Sequence, residues 1–313
     1  MKIDRRGFIG CMAAASAGCA ARRGTDGGSR CDTFVFLSDL HIEGAAPTYA
    51  YSKKRLEKTV DEILSMSPLP RGVVCFGDIS CTYGLDADYI EAKRILSRLE
   101  SAGVALHFTL GNHDRRSFFF DKWPRCAENS PVPGRCVSVV DLGSADLVLL
   151  DALKGADERA LTDMGPVEGG LDDRQLAWFG DFVANAARPF FVGTHQFSDL
   201  YVKGLSPVER AAKSRHFSGW IYGHDHKWQP SFRACGWKDG VIKPILCLPS
   251  SGLWGDIGYV VFRTSAHGAE AELKMQDFYF TMPRPAAERP SFWDARIGDL
   301  KGARAHFPFD RRA

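Results

Sequence analysis

Short apolar runs punctuated by polar turns recur along the chain, at 33–37, 72–76, 104–110, 146–150, 190–192 and 219–222. Each has the length and boundaries of a buried strand. Between them the period lengthens. Tyr89, Ala92, Leu96 and Leu99 recur at spacings of 3, 4 and 3, with Asp86 placed to cap the helix and Gly103 to stop it. Leu176, Phe179, Val183 and Ala186 repeat that spacing, and Leu56, Val60 and Ile63 mark one apolar face within 51–67. Strand and helix alternate, which predicts an α/β sheet protein with its ligand site at the carboxyl ends of the strands. From 244 to 280 the pattern is strands with short turns, at 245–248, 259–263 and 271–280. These are expected to form a second sheet completing the same domain. The stretch 283–313, rich in Pro and Arg, has no role that the pattern reveals.

Polar clusters stand where each run ends. Ser38, Asp39, Leu40 and His41 follow the first run, Gly77 and Asp78 the second, and Gly111, Asn112, His113 and Asp114 the third. Gly193, Thr194 and His195 follow a fourth, and Gly223, His224, Asp225 and His226 a fifth. One such Asp or His is usually a cap or a surface residue. Five clusters, each directly after a buried run, point instead to metal ligation, and a mixed oxygen and nitrogen donor set suits zinc, manganese or iron better than calcium.

In this order, DxH, GD, GNHD, H and GHxH, the clusters resemble the calcineurin-like metallophosphoesterases, a resemblance that runs over about 33–282. It implies a two-sheet β-sandwich flanked by helices, a four-layer α/β/β/α arrangement. It also implies two divalent or mixed-valence metal ions (Mn, Fe or Zn), one held by Asp39, His41 and His226, the other by Asn112, His195 and His224, with Asp78 bridging. Hydroxide formed on the metals would attack phosphorus, and His113 would protonate the leaving group as general acid. Asp114 would either orient His113 or cap a turn, and Arg115 and Arg116 would either reach phosphate oxygens or lie solvated at the surface. Trp254 would lie near the pocket or in the core.

Departures narrow the subfamily. Protein phosphatases of this family continue GD as GDxVDRG, whereas here Gly77 and Asp78 lead into Ile79, Ser80, Cys81, Thr82 and Tyr83. Purple acid phosphatases carry a Tyr ligand three places after that Asp; Cys81 stands there, with Tyr83 close by. The segment 170–179 resembles the helix start of secreted phosphatases and cyclic-nucleotide phosphodiesterases. The expected activity is therefore that of a phosphomonoesterase or phosphodiesterase acting on a small-molecule or lipid phosphoester. A nuclease, or a non-catalytic scaffold keeping the fold, is the alternative.

Composition bears on location and partners. With 313 residues, 45% of them hydrophobic, the chain can bury a full core, and 30–282 is expected to be one domain. Lys2, Arg5 and Arg6, then Phe8, Ile9 and small apolar residues over 11–21, read as an export signal over 1–24. Arg5 and Arg6 resemble a twin-arginine signal, whose pathway carries folded proteins, so metals can be loaded first. Ser16, Ala17, Gly18 and Cys19 resemble a lipoprotein box, which would place a lipid anchor on Cys19, although Ser16 stands where such boxes carry Leu. A periplasmic or otherwise extracytoplasmic location follows. No later run is long and apolar enough for a transmembrane helix. Residues 1–18 carry three basic side chains and one acidic, so the rest of the chain is formally neutral. That disfavours nucleic acid, whose backbone calls for a basic excess. No CxxC pair occurs among the nine cysteines; Cys126 with Cys136, and Cys235 with Cys247, are the spacings that could close a disulfide.

Overall fold

The computed structural model describes residues 32–44, 50–153, 169–197, 200, 205–234, 242–280 and 282–310. The segment 1–24 expected to be an export signal, Cys19 and Cys235 lie outside the described residues. In chain order the elements are β1 (Asp32–Leu37), α1 (Ala50–Leu64), β2 (Gly72–Phe76), α2 (Asp86–Ser101) and β3 (Ala105–Thr109). Next come α3 (Arg116–Lys122), α4 (Pro124–Glu128), β4 (Ser138–Asp141), β5 (Asp146–Leu149), α5 (Asp173–Asn185) and β6 (Phe190–Thr194). The chain continues through α6 (Leu205–Lys213), β7 (Phe217–Tyr222), β8 (Gln229–Ala234), β9 (Ile242–Cys247), β10 (Gly255–Ser265) and β11 (Gly268–Tyr279). It closes with α7 (Ser291–Leu300) and β12 (Arg304–Pro308).

Two six-stranded sheets form, ordered β12-β11-β10-β1-β2-β3 and β4-β5-β6-β7-β9-β8. Alternation along the strands builds the layers. Phe34 and Phe36 of β1, with Val74, Phe76, Leu147, Leu149, Phe191 and Ile221, fill the core between the sheets. Val35, Leu37, Val73 and Cys75 point the other way, onto Leu56, Val60 and Ile63 of α1 and Tyr89, Ala92, Leu96 and Leu99 of α2. Val148, Val192 and Trp220 cover the far face of the second sheet with Phe179 of α5. Strands apolar on both faces can only be interior strands. The result is the α/β/β/α sandwich.

Sequence periodicity and structure part company in three places. β10 and β11 do not open a second sheet; β10 lies antiparallel on β1, with Phe34 opposite Phe262. Its Val260 and Phe262 join the inter-sheet core while Tyr259 and Val261 meet the helices, so it needs layers on both sides. β9 pairs in parallel with β7, in the second sheet. The cap of α2 is supplied by Asp88, whose side chain accepts from Leu85 N at 3.3 Å, and not by Asp86. Gly103 does stop the helix, at φ +83°. Finally, the described part of the C-terminal stretch, 283–310, is built into the fold: β12 pairs with β11, and Phe307 packs against Phe191 and Phe262 in the central core. Phe307→Ala should therefore destabilise the protein by about 3–5 kcal/mol, read from denaturant unfolding. An unchanged midpoint would mean that β12 is an ornament.

Cys126 and Cys136 are brought into contact by the turn between α4 and β4, as free thiols. Cys75, Cys81 and Cys247 are also free thiols, and buried. Among the described residues no helix is long and apolar enough to cross a membrane.

Candidate metal centre

β1, β2 and β3 are mutually parallel, as are β5, β6, β7 and β9. Their carboxyl ends therefore open on one edge of the sandwich, and the polar clusters converge there. The chain leaves these strands through left-handed backbone: Asp39 at φ 54°, His41 at 46°, Asp78 at 49°, His224 at 70° and His226 at 52°. Such geometry is unfavourable for residues with side chains and survives where the surroundings impose it. Here the surroundings are hydrogen bonds. Asp39 N donates to Gly77 O, His41 N to Asp78 O and Ser251 N to Ser38 O. Gly111 must stay small, because a Cβ there would lie 2.2 Å from an Asp78 carboxylate oxygen.

Two groups of donors result. Asp39, His41 and His226 form one, and Asp78, His195 and His224 the other, each with ligand atoms within 4.8 Å of one another. Within the first, His226 Nε2 lies 3.1 Å from Asp39 Oδ1 and 3.2 Å from His41 Nε2. Within the second, His195 Nε2 lies 3.1 Å from Asp78 Oδ2, and 3.2 Å from the Asn112 side-chain oxygen. Asp78 Oδ2 is also 3.9 Å from His41 Nε2, so it reaches toward both groups. All seven residues named as ligands from the sequence meet in one place.

Backbone carbonyls set the imidazoles. His195 Nδ1 lies 2.6 Å from Phe76 O, His41 Nδ1 3.4 Å from Cys81 O, and His226 Nδ1 3.3 Å from Trp254 O. A carbonyl only accepts, so each Nδ1 carries hydrogen and each Nε2 faces inward, where it takes a proton or a metal ion. His41 Nε2 and His226 Nε2 lie 3.2 Å apart, a separation that calls for a proton or a metal ion held between the two nitrogens. This donor set fits a pair of metal ions. The carbonyls of Phe76, Cys81 and Trp254 have no sequence signature, because any residue type supplies one.

The electrostatics agree. Burial raises both carboxyls, yet imidazoles hold them below the carboxylate range, His226 and His195 for Asp39, His195 and His113 for Asp78. Burial drives His41 down to about 3 in spite of Asp78. His195 resists burial and is pushed up to about 10 by Asp78 and then Asp39, and His226 is raised by Asp39 in the same way. Burial, then His195, lowers His224. The negative potential thus draws positive charge into a buried space, where protons and metal ions compete for the same nitrogens.

His113 stands at the edge of this centre. Its ring is 5.3 Å from that of His41, edge on, and it is partly exposed. Its backbone N donates to Asp78 Oδ1 at 2.8 Å, and its Nδ1 lies 3.3 Å from Thr82 O. Nε2 is thereby left for a ligand.

Asp114 does not orient His113. It clamps the loops, accepting from Ile79 N, Ser80 N and Tyr89 Oη on one oxygen and from Gly111 N on the other. Burial and the neighbouring Asp78 push its carboxyl up to about 6. Arg115 and Arg116 are buried rather than solvated at the surface. Arg116 Nε lies 2.8 Å from Asp151 Oδ2 in a two-pronged pair, and Arg115 Nε donates to Tyr83 O. Trp254 lies against the centre, its ring stacked on His226.

A four-layer sandwich whose parallel strand ends gather two sets of carboxylate and imidazole donors defines a dimetal hydrolase scaffold. The sequence profile of the calcineurin-like phosphoesterases matches residues 33–228. The chain belongs to that family and is, by family, a metal-dependent phosphoric ester hydrolase. Among solved structures it is similar to a dimetal phosphatase from Danio rerio, at 15% identity and TM-score 0.59, covering 78% of this chain and 95% of that one. It is also similar to PhoD, at 13% identity and TM-score 0.54, over 82% of this chain and 68% of that one. A purple acid phosphatase from yellow lupin seeds matches at 13% identity and TM-score 0.51, over 91% of this chain but 55% of its own length. Likenesses at these identities speak for the fold. Comparison with curated proteins found no match.

Proposed function

We propose that the chain is an exported phosphomonoesterase or phosphodiesterase of small or lipid phosphoesters, with Asp39, His41 and His226 on one metal ion and Asn112, His195 and His224 on the other, bridged by Asp78. The observation that carries this reading is the convergence of two donor sets on one buried carboxylate, with the Nε2 atoms of His41 and His226 brought to 3.2 Å. Two such ions supply an activated water and neutralise phosphate charge. The residues do the rest. Asp78 holds the two donor sets in register, and the carbonyls of Phe76, Cys81 and Trp254 keep each Nε2 turned inward. His113, pinned through Nδ1, presents Nε2 to the leaving oxygen and donates a proton as the ester bond breaks. The paired arginines at 5 and 6 support export of the folded, loaded chain, and Cys19 would anchor it to a lipid surface.

The test is turnover of the metal-loaded protein on phosphomonoesters, cyclic nucleotides and glycerophosphodiesters. Release of phosphate or alcohol from at least one class is expected. A protein that holds its metals and cleaves none would be the scaffold of the alternative reading.

A further inference from the structure

Among the described residues, six that are not glycine adopt left-handed backbone. Five are Asp39, His41, Asp78, His224 and His226, the donors of the metal centre. The sixth is Trp254, at φ 60°. A bulky aromatic in that region is strained, and strain of this kind clusters where a side chain is held for a purpose. Packing alone would be met more cheaply by a relaxed residue.

The loop that carries Trp254 is welded to the metal-bearing segments. Ser250 Oγ donates to Asp39 O at 3.0 Å, and Asp256 N donates to His226 O at 2.9 Å. The glycines on either side leave no slack: a Cβ at Gly252 would lie 2.0 Å from Leu40 O, and one at Gly255 2.1 Å from His226 O. The indole is consequently fixed. It stacks on the His226 ring at 6.2 Å and 14°, and meets the His41 ring at 5.7 Å and 56°. It remains partly exposed, beside a His226 side chain that is itself 15% exposed. Part of the indole packs against the cluster of Ile257, Phe278, Tyr279 and Trp293, and the part left exposed is the aromatic surface beside the donor set.

We infer that Trp254 is a substrate-contacting residue whose indole stacks against a planar aromatic group of the phosphoester, so that aryl or heteroaryl phosphoesters are preferred over alkyl ones. This rests on the phosphoesterase reading of the same centre. The phosphoryl group would sit over the donors and the ring beside it on Trp254. Aromatic pairs contribute beyond their buried area through offset stacking.

The experiment compares wild type, Trp254→Ala and Trp254→Phe in two ways. Turnover of phenyl phosphate is measured against that of glycerol phosphate, and affinity for phenylphosphonate against that for methylphosphonate. Because each variant is judged by the ratio of two ligands, their intrinsic reactivities cancel. Trp254→Ala should lower kcat/KM for the aryl ester about tenfold more than for the alkyl ester, mostly through KM, with metal content unchanged. Phenylphosphonate should lose the same factor, and Trp254→Phe should recover most of it. Equal losses on both esters, a fall in metal content that accounts for the loss, or equal wild-type affinity for the two phosphonates would overturn the inference, leaving Trp254 only as the support of His226. If wild type hydrolyses neither these monoesters nor the corresponding diesters but binds phenylphosphonate more tightly in a Trp254-dependent way, the phosphoesterase reading falls and the aryl site stands.

Discussion

Asp78→Ala should cost the protein both metal ions and, with them, its turnover. Asp78 is 1% exposed, lies 3.1 Å from His195 Nε2 and 3.9 Å from His41 Nε2, and also accepts the backbone N–H of His113. Burial works against its charge, but His195 and His113 hold it ionised, and it faces both donor sets, as Asp39 also does more weakly at 3.8 Å from His195 Nε2. Without it, two dications would face each other across a low-dielectric space with only Asp39 left to screen them. Metal content should fall from near two ions per chain to below one, and kcat/KM by about a thousandfold or more, since metal assistance contributes several kcal/mol. Elemental analysis and turnover on one preparation check both. Asp78→Asn, which keeps the shape and the hydrogen bond from His113, separates lost charge from lost fold: it should stay folded and still lose metal.

His113→Ala should behave in the opposite sense, keeping the metals and losing rate. Its ring sits edge on to His41 with Nδ1 held by Thr82 O, and it belongs to neither donor group. General acid catalysis of this kind contributes about a hundredfold to ten-thousandfold. The loss should be large for alkyl phosphoesters, whose alkoxide needs the proton, and small for nitrophenyl esters, whose phenolate leaves unaided. A uniform loss across leaving groups would make His113 a positioning residue, and an unchanged rate would remove it from the mechanism.

Much of this was legible because the family site is local in sequence. Each donor cluster follows its own strand directly, so a buried run ending in GD or GHDH announces both the strand and the ligands, and parallel pairing does the rest. What escaped reading was non-local or backbone-borne. Nothing in the periodicity of β10 says that Phe262 will face Phe34 across more than two hundred residues. The alternation of β12, with Ala305 and Phe307 inward between exposed Arg304, His306 and Pro308, is five residues long and set in a Pro- and Arg-rich stretch that looks like a tail. For Arg116 the sequence offered a phosphate contact or a solvated surface position, and neither accounts for it, because its partner Asp151 comes 35 residues later, just after β5. The carbonyls that aim the imidazoles belong to residues of any type. The left-handed backbone of Trp254, its partial exposure and its stacking on His226 set it apart from a core tryptophan, and none of these is visible in sequence.

The central claim is that the edge formed by Asp39, His41, Asp78, Asn112, His195, His224 and His226 is a two-metal centre for phosphoester hydrolysis. Titrating metal-stripped protein with manganese or zinc, while following bound metal and hydrolysis of an aryl phosphate mono- and diester together, tests it most directly. Turnover should rise as the second ion binds, level off near two ions per chain and disappear with a chelator. Saturation at two ions with no hydrolysis of either ester, or hydrolysis indifferent to the metal, would contradict it.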